Sequence, residues 1–343
     1  MLELKKGNLL ISSFYCANVY EIGDPVGTFQ DGRVYRVKLC TDQSSYIAVC
    51  YDYYAADTTD DRKMQLIRQI CERTYGGQFY GNDCIAPVDY AIEGTFSCEN
   101  HNTLILIYPE YEVYDLQPVS EILNAGNVVR YIKGLLTIVK KLHAQGFAAG
   151  GFNEYNLLLE RKSGKLKLVL GANLASGVNG YREKVQYGKA GDFSEESRGF
   201  RREKLLGLPK HSCWEQLNLV DYAKCADIYS IVTLGFQALI GYHPLQGGLC
   251  DGMESDELRQ EIYQQHPVFI FGANRKENSF GLWEDEMEAE ERWMVFPDPL
   301  KKLYQEIYAF PNFSQSVARQ SVRNMECFSI GNWLEALKLL EDK

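Results

Sequence analysis

The residues between Leu142 and Asn173 have the order and spacing of a reactive site. They predict the end of an amphipathic helix, a glycine-rich loop and a hairpin with strands at Leu157–Leu159 and Leu166–Leu170. Loops positioned by such a scaffold often carry functional side chains. Asn156 is the polar side chain that the loop and the first strand would hold in a fixed place. Small residues occupy the positions where carboxylates are expected, namely Ala149, Gly150, Gly151, Gly171 and Ala172.

A glycine pair earlier in the chain, Gly27 and Gly32, lies between two predicted strands. Glycine lets a turn bring its backbone N–H groups close to a phosphate, because no side chain stands in the way. The same spacing is typical of an ordinary hairpin, so both interpretations stay open. A further strand is predicted at Tyr46–Asp52. The strand between them alternates, with Val34, Arg36 and Lys38 on one face and Tyr35, Val37 and Leu39 on the other.

The elements that would position these residues follow in a simple order. Three strands up to Tyr54 are followed by a helix at Asp57–Thr74 and by strands at Pro87–Ile92 and Leu104–Ile107. Tyr108-Pro109-Glu110 is expected to link this part to the rest of the chain. We therefore expect a β-rich part at residues 1–109 and a second part at residues 110–343.

The second part is predicted to be helical. Apolar residues from Val128 to Leu142 recur at helical spacing, and a closing helix is expected at Gly331–Leu340. The segment Asp227–Leu239 is apolar on nearly all sides, which indicates a buried central helix. The charge of Asp227 must then bond to another group, while His143 is expected to satisfy a helix end. The acidic run Glu284–Glu291 indicates a solvated helix face or loop.

Composition excludes several classes of function. The chain has 36 basic and 46 acidic residues, a net charge of -10, which argues against a nucleic-acid surface. Its 10 cysteines form no CxxC pair and no cluster with histidine at metal-ligand spacing, so we predict no metal site and reduced thiols. No apolar run approaches the roughly 18 residues of a membrane span, so a cytoplasmic protein is expected.

The order of these motifs resembles a protein kinase over residues 20 to about 340. Gly27–Tyr35 resembles the glycine-rich loop, and Ala48–Cys50 resembles the Ala-x-Lys strand. Leu142–Leu159 resembles the catalytic loop His-Gly-Asp-Leu-x-x-x-Asn-Ile-Leu-Leu. Leu168–Asn173 lies where Asp-Phe-Gly is expected.

Later residues continue in kinase order. Cys213–Glu215 resembles the Ala-Pro-Glu motif, Asp227 resembles the buried aspartate of the central helix, and Gly241–Leu245 resembles Gly-x-x-Pro-Phe. The resemblance implies an α+β, bilobal protein kinase-like fold, with a five-stranded antiparallel N-lobe that carries one helix and a mainly helical C-lobe. The sequence is similar to bacterial serine/threonine kinases.

The resemblance also implies where a nucleotide would lie. Glu215 would anchor the end of the activation segment, and Asp227 would hold the backbone of the catalytic loop. The cleft would be lined by Gly27, Gly32, Val34, Ala48, Cys50, Ile107, Tyr108, Asn156, Leu158 and Gly171.

The charged groups that a kinase needs are missing at three of these motifs. Phosphoryl transfer depends on a lysine at the phosphates, an acid at the substrate hydroxyl and metal held by Asp and Asn. This chain has Cys50, Gly151 and Gly171 at the lysine, base and metal-ligand positions. The remaining candidate substitutes are Glu154, Lys38, Arg36 and Arg33. The helix that would offer a glutamate presents Gln65, Arg68 or Gln69, with Glu72 at the margin.

These departures favour a pseudokinase, a kinase fold kept as a scaffold or allosteric partner in signalling. Its expected partner is a protein, such as a kinase, a phosphatase or another signalling protein, with the segment Arg182–Lys210 as the contact surface. No metal and no cofactor are expected, and ATP bound without Mg²⁺ or with weakly held Mg²⁺ stays open. One alternative is an atypical serine/threonine kinase or other nucleotide-dependent transferase with a rearranged ATP site. Another is a module that binds a different small ligand in the cleft.

Overall fold

The computed structural model divides the chain into two compact units, Met1–Val119 with Glu154–Tyr181 and Ser120–Asn153 with Arg182–Lys343. The structure describes residues 4–29, 32–54, 61–77, 83–94, 101–110, 116–118, 128–148, 157–160, 163–170, 175–176, 219–251, 267–280, 284–309 and 325–341. Strands and helices are both abundant, so the fold is of the α+β class. The lobe boundary expected after residue 109 stays a prediction.

The main sheet of the first unit is antiparallel and has 6 strands. Its strands are β1 (Leu9–Ile11), β2 (Val19–Phe29), β3 (Gly32–Leu39), β4 (Ser45–Tyr54), β6 (Asp89–Gly94) and β7 (His101–Pro109), in the order β1-β2-β3-β4-β7-β6. Helix α1 (Asp61–Tyr75) and the short strand β5 (Cys84–Ile85) lie between β4 and β6 in the chain. The expected five strands are thus joined by a sixth, β1, which is too short for its alternation to be read from sequence.

The two faces of this sheet hold different hydrophobic clusters. One cluster, here called the inner cluster, consists of Leu10, Tyr20, Ile22, Tyr35, Val37, Leu39, Ala48, Cys50, Ala91, Ile105 and Ile107. The other, the helix-side cluster, consists of Val34, Ile47, Val49, Ile67, Cys71, Ile85, Tyr90, Leu104, Leu106, Tyr108 and Val169. Because Ile67 and Cys71 belong to α1, the second face is the one that packs against the helix.

The loop between β1 and β2 joins opposite edges of the sheet through the buried carboxylate of Asp89 on β6. Asp89 accepts hydrogen bonds from Ser12 Oγ at 2.6 Å, Asn18 Nδ2 at 2.9 Å and Tyr20 Oη at 2.8 Å. Its own strand adds the backbone N–H of Tyr90 at 2.8 Å. Burial, followed by the neighbouring Asp89 carboxylate, raises the pKa of the Tyr20 hydroxyl. The sheet therefore curls around the inner cluster, and the hydrogen bonds of Asp89 connect β6 to the β1–β2 edge.

A second sheet in the same unit contains the hairpin predicted from the sequence. Its strands are β5, β8 (Leu116–Pro118), β10 (Leu157–Glu160) and β11 (Leu166–Val169), in the order β5-β11-β10-β8. The hairpin register pairs Leu157 with Leu168, and Gly164 in its turn has a φ of 64°. Tyr108 Oη donates a hydrogen bond to the carbonyl of Leu170 at 2.9 Å. A two-residue strand, β12 (Ala175–Ser176), completes the described part of this unit.

The second unit is mainly helical. Its elements are α2 (Val128–Ala144), the short strand β9 (Phe147–Ala148), α3 (Leu219–Ile240), α4 (Glu284–Met294), α5 (Asp298–Ala309) and α6 (Ile330–Glu341). Helix α3 starts at Leu219, before the apolar segment predicted from Asp227 onward. The sequence pattern does not indicate its first turns, because polar Asp221 and Lys224 interrupt the apolar run. Among the described residues, none of the helices has the length and apolar composition of a membrane-spanning segment.

Helix α3 lies at the centre of the packing in this unit, as its composition predicts. Phe236 is fully buried, with ring centroids of Phe269 at 5.6 Å, Trp293 at 6.0 Å and Tyr304 at 5.2 Å. Thr233 Oγ1 and Tyr308 Oη are hydrogen-bonded at 2.8 Å. The acidic run at the start of α4 is helical, with Ala289 and Trp293 as its buried residues among those described.

Candidate functional site

The strand residues that would line a nucleotide cleft lie on two different faces of the main sheet. Val34 pairs with Val49 and lies in the helix-side cluster. Cys50 pairs with Ile105 and belongs to the inner cluster, as do Ala48 and Ile107. Tyr108 belongs to the helix-side cluster with Val34. The structure therefore brings Ala48, Cys50 and Ile107 together but separates them from Val34 and Tyr108.

The position of Cys50 follows from strand geometry. Successive side chains of a strand point to opposite faces, so a shift of one residue exchanges the face on which a side chain lies. Val49 occupies the helix-side face, and Cys50 is 0% exposed in the inner cluster. A lysine that pairs with a glutamate of the helix would have to point to the Val49 side. The structure does not place Cys50 where such a lysine would stand.

The two glycines of the predicted phosphate loop form the end of the β2–β3 hairpin. Gly27 pairs with Val34, and Phe29 pairs with Gly32, with a register irregularity between Pro25 and Gly27. Gly27 has a φ of 149°, a conformation that residues with a side chain rarely adopt. The glycine is therefore required by the backbone at this bulge, whether or not a phosphate binds there.

The cations proposed to replace the missing lysine lie in three different settings. Arg36 is on the exposed part of β3, and its Nε donates to Glu110 Oε1 at 2.5 Å. Lys38 is exposed and pairs across the sheet with Glu21. Arg33 is half-buried opposite Cys50, at the end of the inner face. The three side chains do not converge on one point, since Arg33 lies on the other face from Arg36 and Lys38.

Helix α1 presents apolar residues to the sheet. Ile67, Ile70 and Cys71 are buried, and burial raises the pKa of the Cys71 thiol above the usual value. Arg68 and Glu72 are exposed and form an ion pair one turn apart, with Nε and Oε1 at 3.2 Å. Gln69 is half-buried, and the side chain of Gln65 is outside the described residues. Glu72, the carboxylate on this helix that was a candidate partner for a lysine, is therefore directed to solvent.

The glycine-rich loop at residues 149–156 is outside the described residues, and with it Gly151, Glu154 and Asn156. Gly171 and Glu215 are also outside the described residues. The strand that follows this loop is described by its backbone: Leu158 pairs with Lys167 on one side and with Pro118 on the other. The assignment of these residues to a degenerate catalytic centre stays a prediction.

The structure identifies a partner for Asp227, the residue that was predicted to bond to another group. Its carboxylate is 1% exposed, and its Oδ2 lies 2.9 Å from Nε2 of His143 at the end of α2. The pair is an ion pair whenever the imidazole is protonated, and otherwise a hydrogen bond. Sequence reasoning assigned His143 to a helix end, whereas the structure joins it to the central helix. The two residues are 84 positions apart, so no local pattern could have paired them.

Two of the buried cysteines are not activated as nucleophiles, and the described residues do not form a metal-binding group. Burial raises the pKa of the Cys327 thiol well above its usual value, as it does for Cys71, so neither is activated as a thiolate. In the part of the chain that the structure describes, no three His, Cys, Asp or Glu side chains lie close enough to share a metal ion.

No model of a known protein family matches the chain, and no curated protein is similar to it in sequence.

Proposed function

We propose that this protein is a pseudokinase: a bilobal protein kinase-like fold that acts as a scaffold or allosteric partner in cytoplasmic signalling, with phosphoryl transfer lost or strongly impaired. The strand order of the first unit supports the fold. β2, β3 and β4 are consecutive, α1 follows, and β6 and β7 then join the sheet beside β4. Three strands, a helix and two strands are what the kinase resemblance implies. The helical second unit, with buried Asp227 on α3, supports the C-lobe.

The observation that carries the functional proposal is the composition of the sheet face that packs against α1. Val34, Val49 and Leu106 meet Ile67 and Cys71 there, and all five side chains are buried. An active kinase holds its phosphate-binding lysine by a glutamate from this helix. Among the described residues, the buried charged side chains are Asp89 and Asp227, and neither lies on α1.

This apolar packing makes the loss of the lysine and glutamate mutually consistent. A buried ammonium or carboxylate without its partner is strongly destabilising, so a chain that has lost one of the two is stabilised by losing the other. The sequence departures at Gly151 and Gly171 would remove the base and a metal ligand as well. An asparagine such as Asn156 is a poor magnesium site alone, because Mg²⁺ prefers carboxylate oxygens.

Nucleotide binding and transfer can be measured on the full chain. We expect calorimetry with ATP to give the same result with Mg²⁺, with Mn²⁺ and with a chelator. We also expect no transfer of the γ-phosphate to the chain itself or to a general protein substrate. Metal-dependent transfer that is lost in Asn156→Ala and retained in Asn274→Ala would refute the proposal. Asn274 is a suitable control because it is exposed and its side chain caps nothing.

The proposed role also requires a protein partner, which we expect to be a kinase, a phosphatase or another signalling protein of a bacterial cell. The sequence assigns residues 182–210 to the contact surface. Charge reversal there, as in Arg201→Glu with Arg202→Glu, is expected to release a signalling protein that co-purifies with the chain. Arg130→Glu, on the exposed side of α2, is the matched control and should leave the complex intact. Equal retention by both variants would remove this surface from the proposal.

A further inference from the structure

A cavity of about 360 Å³ lies within the second unit, between the residues around Phe280 and helix α4. One wall carries Arg275 and Lys276, which belong to a 3₁₀ turn, and another carries Glu286 and Glu290 of α4. Ile270, Phe280 and Met287 supply apolar surface. Pockets for small molecules typically have roughly 300–1,000 Å³ and combine apolar surface with a few polar groups, so this cavity is of suitable size and composition.

Three of the charged side chains around the cavity form no ion pair with another described residue. Arg275, Lys276 and Glu290 take part in no ion pair within the part of the chain that the structure describes. Neighbouring charges on α4 behave differently, since Arg292 Nη2 and Glu288 Oε2 are paired at 2.9 Å. Arg275, Lys276 and Glu290 are thus the charged groups of the cavity that are available to a ligand.

The cationic wall is held in place by a buried asparagine. Asn278 is 0% exposed, and its Nδ2 donates to the carbonyls of Leu245 at 3.0 Å and Val268 at 2.6 Å. Its Oδ1 accepts the backbone N–H of Leu249 at 3.0 Å. A Cβ at Gly247 would lie 2.2 Å from the carbonyl oxygen of Asn278, so the two segments approach as closely as glycine permits. The turn is therefore anchored before any ligand arrives, which lowers the cost of binding.

The apolar side of the cavity is also fixed by packing. Ile270 is 2% exposed. The ring of Phe280 lies 5.6 Å from that of Phe271 and 5.1 Å from that of Tyr242. Met287 is 55% exposed, which leaves its flexible thioether available for contact.

We propose that this cavity binds a small zwitterion with an apolar group, the chemistry of a free α-amino acid with an aromatic or large aliphatic side chain. Its carboxylate would meet Arg275 and Lys276, its ammonium would meet Glu290, and its side chain would cover Phe280 and Met287. A ligand with one sign of charge would leave one wall uncompensated, which favours the zwitterion. The site belongs to the second unit alone, and it is independent of whether the chain is a pseudokinase.

Calorimetric titration of the full chain tests the proposal. We expect L-phenylalanine and L-leucine to bind, and glycine, N-acetyl-L-phenylalanine and L-phenylalanine amide to bind at least about tenfold more weakly, since each lacks one of the three contacts. Glu290→Gln and Lys276→Gln should each weaken L-phenylalanine binding by about three- to fivefold, as expected for exposed charge pairs. Glu291→Gln and Lys140→Gln are matched controls, because both residues are exposed and line other surfaces.

Two results would overturn the proposal. The first is no heat of binding for L-phenylalanine or L-leucine at millimolar concentration. The second is binding that the amide and the N-acetyl derivative reproduce, or that Glu290→Gln and Lys276→Gln leave unchanged. The analogue series needs only the unmodified chain, so its outcome does not depend on how the variants fold.

Discussion

Val49 and Cys50 are consecutive residues of β4, yet their side chains are buried in different clusters on opposite faces of the sheet. Val49 packs on the side of α1, and Cys50 packs with Ile105 around the inner cluster. A motif comparison aligns Cys50 with the kinase lysine, but the side chain that faces the helix is that of its neighbour. The surface that β4 presents to α1 is therefore apolar at Val49.

Cys50→Lys is expected to destabilise the protein by more than about 3 kcal/mol, because it buries an ammonium without a partner in an apolar cluster. Cys40→Lys is the matched control, since Cys40 is exposed at the end of β3, and it should change stability by less than about 0.5 kcal/mol. Urea denaturation followed by circular dichroism measures both. Equal stability of the two variants would show that Cys50 faces a solvated space.

Asp89→Asn is expected to cost about 2 to 4 kcal/mol, because the amide replaces an acceptor-only carboxylate that receives four hydrogen bonds and leaves buried donors unmatched. Asp24→Asn serves as the control. Asp24 pairs with Lys6 on the exposed surface, so the expected change is below about 1 kcal/mol. If Asp89→Asn cost no more than the control, the hydrogen bonds of this carboxylate would not stabilise the sheet.

A double-mutant cycle on His143→Ala and Asp227→Asn should give a coupling energy of at least about 1 kcal/mol, because the two side chains interact directly and are largely shielded from water. Lys338→Ala with Glu335→Gln provides the comparison. That pair is exposed on α6, and its coupling is expected to stay below about 0.5 kcal/mol. Chemical denaturation supplies the four stabilities of each cycle, and additive effects at His143 and Asp227 would contradict a direct pairing.

Glu306 on α5 should make stability depend on pH in the weakly acidic range. Burial, followed by the nearby Glu326, raises its pKa above the usual 4.5, and its Oε2 is buried with no hydrogen-bond partner among the described residues. The folded state therefore binds this proton more tightly than the unfolded state, so the contribution of Glu306 falls as pH rises from 4.5 through the raised pKa.

Glu306→Gln tests this pH dependence. The variant is expected to be more stable than the unmodified protein at neutral pH, and the two should become alike as pH falls below 4.5. Glu335→Gln is the control, because the pKa of Glu335 is lowered by its bond to Lys338 and its effect has the opposite sign. Thermal melts from pH 4 to pH 8 would show a constant difference if Glu306 did not titrate in this way.

Local patterns predicted much of the fold. The alternation of Val34 to Leu39 placed its residues on two faces as observed, and the predicted strands Leu157–Leu159 and Leu166–Leu170 correspond to the hairpin of β10 and β11. The all-round apolar composition of Asp227–Leu239 predicted a buried helix, which is α3. These features depend on side-chain periods and turn residues within short stretches, so they can be recognised without knowing the tertiary fold.

The sequence by itself determined the order of the longer strands and helices, the uncharged residues Cys50, Gly151 and Gly171, and the need of Asp227 for a partner. Tertiary structure decided which face of β4 meets α1, because alternation separates two faces without saying what covers each. It also supplied the partners of the two buried carboxylates: Asp89 bonds to Ser12 across 77 positions, and Asp227 meets His143 across 84. Such pairs form because burial requires each carboxylate to find donors, and only the folded chain brings those donors within reach.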